Sequence, residues 1–408
     1  MIPTAITAAS VRAAQVRIAG QIIETPMILS DALSRATGAT VYLKLENLQH
    51  TGAFKARGAI SRMTLLTEAQ RKSGVIAMSA GNHAQGVAYH AGRLGIPATI
   101  VMPKGTPFTK IRKTRAFGAT VLLEGETLAE AADFARRTAA EKGLTFVHPY
   151  DDADVIAGQG SIALEMLAAV PGLEVLVVPV GGGGLIAGCA VAATDMNPNV
   201  EIIGVEPALY PSMTNAIKGS SDPCAGSTLA EGIAVRDIGT MAVPIVRALV
   251  KDIVTVTETG LERAMAMLAT QAKTVAEGAG AAPLAAMLEH GALFRGRTVG
   301  LIVSGGNADA RILSSVLMRD LVRGGQVLTL NIEMPDKPGQ LHAVSGICAT
   351  EGANVLEVSH SRFAMDLSAS SARLGITIET RDQDHADQVI ARIRDGGFTV
   401  AIRDPNAP

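Results

Sequence analysis

The feature that most constrains this chain is an alternation, from about residue 41 to 320, of short β-branched segments with longer alanine-rich segments. The β-branched segments are typical of buried strands and lie at 41–45, 74–78, 98–102, 119–123, 173–180, 200–206 and 298–304. Helical patterns lie between them, at 82–94, 126–142, 155–170 and 258–272. Because strands that alternate with helices form right-handed crossovers, the sequence predicts an α/β fold whose mostly parallel sheet is covered by helices on both faces.

The pattern changes near Leu321, where the polar segment 321–326 predicts a short hinge. Strands and helices then follow in the order βαββαβ, at 327–333, 339–350, 353–361, 372–380, 382–396 and 398–402. That order is typical of a ferredoxin-like α+β domain. We therefore predict a second, smaller domain towards the carboxyl end of the chain.

Composition and charge exclude several classes of function. The net charge is −2, from 36 basic and 38 acidic residues, so nothing predicts binding to nucleic acid or to an anionic membrane. Hydrophobic residues make up 48% of the chain and charged ones 18%, which excludes a largely disordered protein. The uncharged segment 175–194 contains Pro179 and four consecutive glycines, which break a membrane-spanning helix. Three widely spaced cysteines and the lack of a signal-peptide pattern favour a soluble protein of the reducing cytoplasm.

The motif TGAFKARGA places Lys55 after a Thr-Gly turn and at the start of a predicted helix over 54–68. The positive end of a helix dipole favours the neutral form of an amine. A neutral amine can bond covalently to a carbonyl carbon or remove a proton. A solvated lysine in a first helical turn explains the same pattern, so this motif alone leaves both interpretations open.

Two further loops follow predicted strands and precede predicted helices. SAGNHAQG, from Ser79 to Gly86, offers backbone N–H groups and polar side chains for a carboxylate, although a simple polar helix cap explains it as well. VGGGGLIAG, at 180–188, can fold its backbone around a phosphate, and the alternative is a tight turn without a ligand. It matches neither the dinucleotide nor the P-loop pattern. SGGN, at 304–307, ends the last strand with Ser304, which can hydrogen-bond a ring nitrogen.

An early lysine, a carboxylate-type loop, a phosphate-type loop and a terminal serine suit a cofactor that carries an aldehyde, a phosphate and a pyridine ring. With these motifs, the chain resembles the fold-type II pyridoxal-phosphate enzymes, and within them the threonine and serine dehydratases. The resemblance covers residues 20–320 and also includes the motifs VMPKGTP, PYDD, IAGQG, EGIAV and EGAGA. The DKPGQL segment resembles an ACT domain, a module that commonly binds amino acids. The whole layout resembles the threonine ammonia-lyases with a single ACT domain.

The resemblance implies a two-lobed, tryptophan-synthase-β-like catalytic domain over residues 1–320, with a smaller lobe at about 45–150 inserted in the larger one. The hinge at 321–326 and an ACT regulatory domain at 327–408 would follow. Lys55 would bind pyridoxal 5′-phosphate covalently and later take the Cα proton of the substrate. The other implied cofactor contacts are Phe54 (ring face), Asn82 (ring hydroxyl), Ser304 (ring nitrogen) and, for the phosphate, Gly181, Gly182, Gly183, Gly184 and Leu185. The implied contacts to the substrate carboxylate are Ser79, Ala80, Gly81, Asn82 and His83.

The implied reaction is β-elimination of L-threonine to 2-oxobutanoate and ammonia, with L-serine to pyruvate as a second activity. Serine racemases of this family carry a serine at position 80, and Ala80 therefore favours a dehydratase. A dehydratase that prefers serine or another hydroxyamino acid stays open, because no identified side chain contacts the γ-methyl group of threonine. A non-catalytic protein that binds amino acids is the other alternative, and the intact Lys55 argues against it.

The resemblance also bears on metals and effectors. Glu206 matches the first metal ligand of the racemases, but Ser212 stands where an aspartate is expected, so we predict no divalent metal. A monovalent cation held by carbonyl groups would leave no trace in a sequence. Glu277, in EGAGA, suits either an approach to the cofactor or an acid at a helix start. Isoleucine or valine is the expected effector, because 2-oxobutanoate feeds isoleucine synthesis, and the alternative is a domain that only assembles the oligomer. Single domains of this type commonly pair side by side, so we expect a homodimer or homotetramer. The candidate effector residues are Pro338, Gly339, Gln340 and Leu341.

Overall fold

The computed structural model describes residues 6–362, 367–368 and 370–403. The outer ends of the two predicted domains, 1–5 and 404–408, lie outside the described residues. The chain forms two compact units, one that ends at Asp309 and one that begins at Ala310. Within the described residues, no helix is long and apolar enough to span a membrane.

The first unit alternates strands and helices. Its strands are β1 (Met27–Leu29), β2 (Thr40–Lys44), β3 (Val75–Met78), β4 (Ala98–Met102), β5 (Thr120–Leu123), β6 (Thr145–Phe146), β7 (Val175–Pro179), β8 (Glu201–Pro207), β9 (Asp252–Val256) and β10 (Thr298–Ile302). Its helices are α1 (Ala8–Ile18), α2 (Asp31–Thr37), α3 (Lys55–Met63), α4 (Glu68–Ser73), α5 (Asn82–Leu94), α6 (Phe108–Arg115), α7 (Leu128–Lys142), α8 (Ala153–Ala169), α9 (Gly184–Met196), α10 (Ser212–Lys218), α11 (Ala242–Leu249), α12 (Glu258–Thr270) and α13 (Gly278–Glu289).

Two sheets organise this unit. The larger sheet has the order β1-β2-β10-β7-β8-β9 and is parallel except for β1. The smaller sheet has the order β5-β4-β3-β6 and is parallel throughout. The chain leaves the larger sheet after β2, builds the smaller sheet and returns through α8 to β7. The predicted α/β fold class is confirmed.

Local signals explain where these elements begin and end. All five residues of β7 are buried, as expected for a central strand covered on both faces. The Asp152 side chain accepts the Asp154 and Val155 amides and so starts α8. Gly95 ends α5 in the left-handed conformation, with φ 67°, which a glycine adopts without steric cost.

The second unit has the order βαββαβ, preceded by one additional helix. Its elements are α14 (Ala310–Arg323), β11 (Val327–Pro335), α15 (Gln340–Glu351), β12 (Asn354–Ser361), β13 (Ser371–Glu379), α16 (Gln383–Asp395) and β14 (Thr399–Ile402). The strands form an antiparallel sheet in the order β12-β13-β11-β14. Burial alternates along β13, so one face packs on the helices, as the predicted ferredoxin-like α+β class requires.

The structure differs from the predicted hinge at 321–326. Residues 321–323 continue α14, whose helical pattern includes the buried Val316. The helix ends where Gly324 and Gly325 follow, and Gly325 has φ 65°. Apolar residues at 321 and 322 extend the helix, and the glycines end it because they favour non-helical backbone.

Candidate active site

Lys55 is the first residue of α3, and its amine is enclosed by neighbouring groups. Nζ donates a hydrogen bond to the Pro149 carbonyl oxygen at 2.8 Å. It also lies 5.1 Å from the centroid of the Phe54 ring. Burial lowers the pKa of Lys55 to about 8, because the protonated amine loses its hydration. The neutral amine that covalent catalysis needs is therefore far more populated near neutral pH than in an exposed lysine.

The segment 149–150 joins Lys55 to the glycine loop. A Cβ atom at Gly182 would overlap the Tyr150 ring, and one at Gly184 would lie 2.7 Å from the Tyr150 carbonyl oxygen. Glycine is therefore required at both positions because the backbones approach closely. Lys55 thus contacts Pro149, and the glycine loop contacts the next residue, Tyr150.

The glycine loop, Gly181–Gly184, follows β7 and runs into the first turn of α9. Gly183 occupies the N-cap position with φ 91° and provides no side-chain cap. The first N–H groups of a helix have no partner within the helix, so the amides of this turn, including that of Leu185, can donate to an anion. A loop without side chains at the start of a helix suits a phosphate group.

Ser304 lies beside the start of α3. The Phe54 amide donates to the Ser304 carbonyl oxygen at 3.0 Å, and Ala53 forms a β-bridge with Gly305. Ser304 comes shortly after the end of β10 and is 3% exposed. The sequence motifs around Lys55 and Ser304 are therefore adjacent in the fold.

The loop Ser79–Gly81 follows β3, and Asn82 opens α5. Asn82 Nδ2 donates to Glu277 Oε1 at 2.6 Å, and Asn82 Oδ1 accepts from Asn307 Nδ2 at 2.8 Å. These two bonds fix the orientation of the Asn82 amide. A Cβ atom at Gly305 would lie 3.2 Å from Asn82 Nδ2, so this side chain faces the turn that follows Ser304.

His83 is buried and neutral. Its Nε2 contacts the Val147 carbonyl oxygen at 2.9 Å, and its Nδ1 has no partner within the described part of the chain. Burial, followed by the nearby charge of Lys55, lowers the pKa of His83 to about 3. Any carboxylate bound here would be held by the N–H groups at the start of α5 and by neutral side chains, since His83 carries no charge.

Glu277 contacts the predicted site residue Asn82. Sequence analysis left open whether Glu277 approaches the cofactor or only begins a helix. It occupies the N-cap position of α13, but its side chain makes no capping bond and instead accepts from Asn82. Burial raises the pKa of Glu277 to about 7, while the Asn82 hydrogen bond opposes the shift. Its position in EGAGA, before a helix of small residues, is the only sequence signal that indicated it.

Glu206 has a structural role here. It is 1% exposed and accepts the Met213 amide at 2.7 Å and the Thr214 amide at 3.0 Å. Both oxygens are thus used at the start of α10, while the Ser212 hydroxyl donates to the Val235 carbonyl oxygen. In the described ranges, no group of three histidine, cysteine or acidic residues is placed to hold a metal ion.

The candidate effector residues belong to the second unit. Gly339 is the N-cap residue of α15, with φ 92° and no side-chain cap, and Gln340 begins the helix. Leu341 is 41% exposed, and Pro338 precedes the cap. This turn leaves backbone N–H groups at the start of a helix, where a carboxylate can bind.

The residues of the first unit fit pyridoxal 5′-phosphate. The enclosed amine of Lys55 suits its aldehyde, and the glycine loop offers backbone N–H groups at the start of α9 to its phosphate. Ser304 lies beside the start of α3, and Asn82 lies beside the neighbouring Gly305. Phe54 contributes an aromatic ring next to the amine. The structure therefore brings the predicted cofactor residues of four separate motifs into one region.

Comparisons with known proteins point the same way. Residues 18–305 match the model of a family described as pyridoxal-phosphate dependent enzymes. An L-threonine ammonia-lyase of Thermotoga maritima is 43% identical over 399 residues, which are 97% of this chain and 99% of that protein. A solved T.th. threonine deaminase has a TM-score of 0.70 and 40% identity, covering 74% of this chain and 99% of its own. Maize serine racemase has a TM-score of 0.72 and 34% identity, covering 78% and 99%.

Proposed function

We propose that this chain, which belongs to the family of pyridoxal-phosphate dependent enzymes, converts L-threonine to 2-oxobutanoate and ammonia. L-Serine would be a second substrate, with pyruvate as the product. The observation that carries the proposal is the enclosed amine of Lys55, whose pKa is lowered to about 8. The similarity to an L-threonine ammonia-lyase over 97% of the chain supports threonine as the main substrate.

When bound, pyridoxal 5′-phosphate supplies an electron sink for the negative charge that develops at the substrate Cα. The amides of the glycine loop would hold its phosphate, and Asn82 would hold its ring hydroxyl. Ser304 would lie at the ring nitrogen. A serine hydroxyl need not protonate that nitrogen, which weakens the electron sink and suits rapid elimination.

The chain's own groups bind the substrate and move its protons. Backbone N–H groups of the segment Ser79–His83 hold the substrate carboxylate. Lys55 Nζ, in its neutral form, removes the proton from Cα. The β-hydroxyl takes up one proton as it leaves, so the Cα proton and the hydroxyl together account for one water. The unsaturated amino acid that is released then reacts with one water to give 2-oxobutanoate and ammonia. One water is lost and one is taken up, so all atoms balance. Positioning of the Cα–H bond against Nζ is the main contribution of the protein.

A substrate comparison with the purified, cofactor-loaded full chain tests the proposal. We expect formation of a 2-oxo acid and of equal ammonia, with kcat/KM highest for L-threonine, lower for L-serine and lowest for 3-hydroxyaspartate. Higher kcat/KM for another hydroxyamino acid would make that compound the substrate. Binding of threonine without product would support the non-catalytic alternative.

The proposal also covers the effector, the oligomeric state, the compartment and a bound cation. We propose that the second unit is an ACT domain that binds isoleucine or valine at Pro338–Leu341, supported by its ferredoxin-like order and by the uncapped start of α15. The enzyme would act as a homodimer or homotetramer in the cytoplasm, which is compatible with its three free cysteines. A monovalent cation held by carbonyl groups is part of the same proposal, and activity in K⁺ against a bulky organic cation tests it.

A further inference from the structure

Three helices of the first unit, α3, α8 and α9, pack with their backbones in close approach. A Cβ atom at Gly158 of α8 would lie 2.8 Å from the Arg57 carbonyl oxygen of α3. A Cβ atom at Gly160 of α8 would lie 2.6 Å from the Gly188 carbonyl oxygen of α9. One at Gly188 would overlap the Ile156 carbonyl oxygen of α8. These contacts are made by backbone atoms, which cannot rotate away as the end of a side chain can.

The outer helices of this stack carry the two ends of the candidate cofactor site. Lys55 is the first residue of α3, and the glycine loop ends at Gly184, the first residue of α9. Because α8 lies between them, the spacing of Lys55 and the loop depends on how closely both helices approach α8. Each close approach requires a glycine.

Buried charges hold α3 on α8 independently of the glycines. The Arg57 guanidinium is fully buried, with Nη1 at 2.5 Å from Glu165 Oε1 and Nη2 at 2.8 Å from Glu165 Oε2. Lys44 Nζ lies 2.6 Å from Glu165 Oε2, and Arg57 Nε lies 2.8 Å from Glu46 Oε2. A buried set of two cations and two anions adds little net stability over apolar residues, but it permits only one arrangement of the elements that it joins.

We propose that the α3–α8–α9 stack sets the distance between Lys55 and the glycine loop to the length of one cofactor molecule. Gly158, Gly160 and Gly188 are then positioning residues, because they act through Lys55 and the loop. This inference rests on the proposed function only in that these two groups hold the two ends of pyridoxal 5′-phosphate.

The variants Gly188→Ala and Gly158→Ala separate the helices on opposite sides of α8. The measurement is the Kd of pyridoxal 5′-phosphate and that of pyridoxal, which lacks the phosphate, both from the absorbance of the bound compound. Moving the loop away from Lys55 weakens the hydrogen bonds to the charged phosphate, so we expect the phosphorylated compound to lose roughly 10- to 100-fold in affinity, as for the loss of about one such bond. Pyridoxal, which is held at one end only, should bind nearly as in the unaltered chain.

Gly92→Ala is the matched control. Gly92 lies in α5, and a Cβ atom there would meet the Phe117 carbonyl oxygen at 2.8 Å, so the strain is similar but outside the stack. We expect it to lower the melting temperature and to leave the ratio of the two Kd values unchanged. The proposal would be overturned if the stack variants lost equal affinity for pyridoxal 5′-phosphate and for pyridoxal. It would also be overturned if Gly92→Ala reduced the preference for pyridoxal 5′-phosphate over pyridoxal.

The unaltered chain provides a test that needs no variant to fold. An analogue of the cofactor with one extra methylene in its phosphate arm should bind at least about tenfold more weakly, since the stack does not adjust its spacing. Binding as tight as that of pyridoxal 5′-phosphate would contradict the proposal. All of these measurements report cofactor binding, so a failure to convert threonine would count against the proposed substrate and leave the spacing test valid.

Discussion

Burial moves three titratable side chains near the candidate site towards their neutral forms. It lowers the pKa of Lys55 to about 8 and the pKa of His83 to about 3, and it raises the pKa of Glu277 to about 7. The cause is the same in each case, because a charged group loses hydration when it is enclosed. At the residue scale, burial thus makes the amine of Lys55 easier to deprotonate and keeps His83 neutral.

We expect Lys55→Ala to abolish formation of 2-oxo acid while the chain still folds. The side chain is the proposed covalent anchor and base at Cα, and among the described residues its hydrogen bond is to the Pro149 carbonyl oxygen. Lys72→Ala is the control, since Lys72 is 77% exposed and pairs with the exposed Glu68. Substantial 2-oxo acid from the purified Lys55→Ala protein, with a melting temperature like that of the control, would remove Lys55 from this role.

Glu277→Gln should weaken the dependence of stability on pH. The folded-state pKa of Glu277, about 7, lies above its ordinary value of 4.5, so its neutral form adds stability that is complete below pH 4.5 and lost as the pH rises to 7. This loss is at most on the order of 3 kcal/mol, and glutamine, which stays neutral, avoids it. The charged groups that face Glu277 are Lys110, Lys113 and Glu231.

Urea unfolding at pH 5 and pH 8 measures this effect. We expect the free energy of unfolding of the unaltered chain to fall between the two values by more than that of Glu277→Gln. Glu68→Gln is the control, because Glu68 is 82% exposed and pairs with Lys72, and neither residue is among the charges that act on Glu277. Identical pH dependence in the unaltered chain and Glu277→Gln would show that Glu277 is not the titrating group.

Ala80→Ser should allow some inversion at Cα while elimination stays dominant. Position 80 lies in the loop between β3 and α5. The resemblance to serine racemases implies that a serine hydroxyl there would return a proton to the face of Cα opposite Lys55. Chiral analysis of the serine that remains after partial turnover measures it. Rapid racemisation of serine by the unaltered chain would refute the role assigned to Ala80.

At the scale of elements, α3 depends on the charges that hold it. Burial alone would raise the pKa of Glu46, but Arg57 outweighs it and the pKa is lowered. Arg57→Met would leave two buried carboxylates with one cation, Lys44, so we expect a loss of about 3–5 kcal/mol in the free energy of unfolding.

Arg62→Met is the matched control on the same helix. The Arg62 side chain is 23% exposed and pairs with Asp152 at 3.2 Å, and a partly exposed pair contributes about 1 kcal/mol or less. Urea denaturation of both variants measures the difference. Equal losses would mean that burial of the Arg57 ion pairs does not matter for the stability of this region.

At the scale of the whole molecule, the second unit is the candidate sensor. The T.th. threonine deaminase aligns over 99% of its own length with only 74% of this chain. About a quarter of this chain therefore has no counterpart in that structure. We expect a chain that ends at Asp309 to keep threonine conversion and to lose any response to isoleucine or valine. An equal response in both lengths would exclude the second unit as the sensor, and no binding to the full chain would refute these effectors.

Much of the fold and part of the candidate site could be predicted from local sequence signals. Strand 98–102 and helix 82–94 have the predicted bounds, because burial pattern and end signals act over a few residues. Lys55 and the glycine loop stand out for the same reason, since a lysine after a turn and four glycines after a strand are features of adjacent residues. The helix predicted over 54–68 ends at Met63 instead, and nothing in its periodicity indicated that end.

The sequence by itself thus determined the class of both units, the βαββαβ order of the second unit and the motifs proposed to carry the chemistry. It did not predict β1, β6 and β9, which are short or lie at the edges of their sheets. Only the tertiary structure decided which distant groups meet: Lys55 with Pro149, Asn82 with Glu277, and Gly160 with Gly188. Periodicity and turn signals are local, whereas these contacts depend on how crossover helices pack on two sheets. Burial follows from that packing, and the shifted pKa values of Lys55 and Glu277 follow from burial.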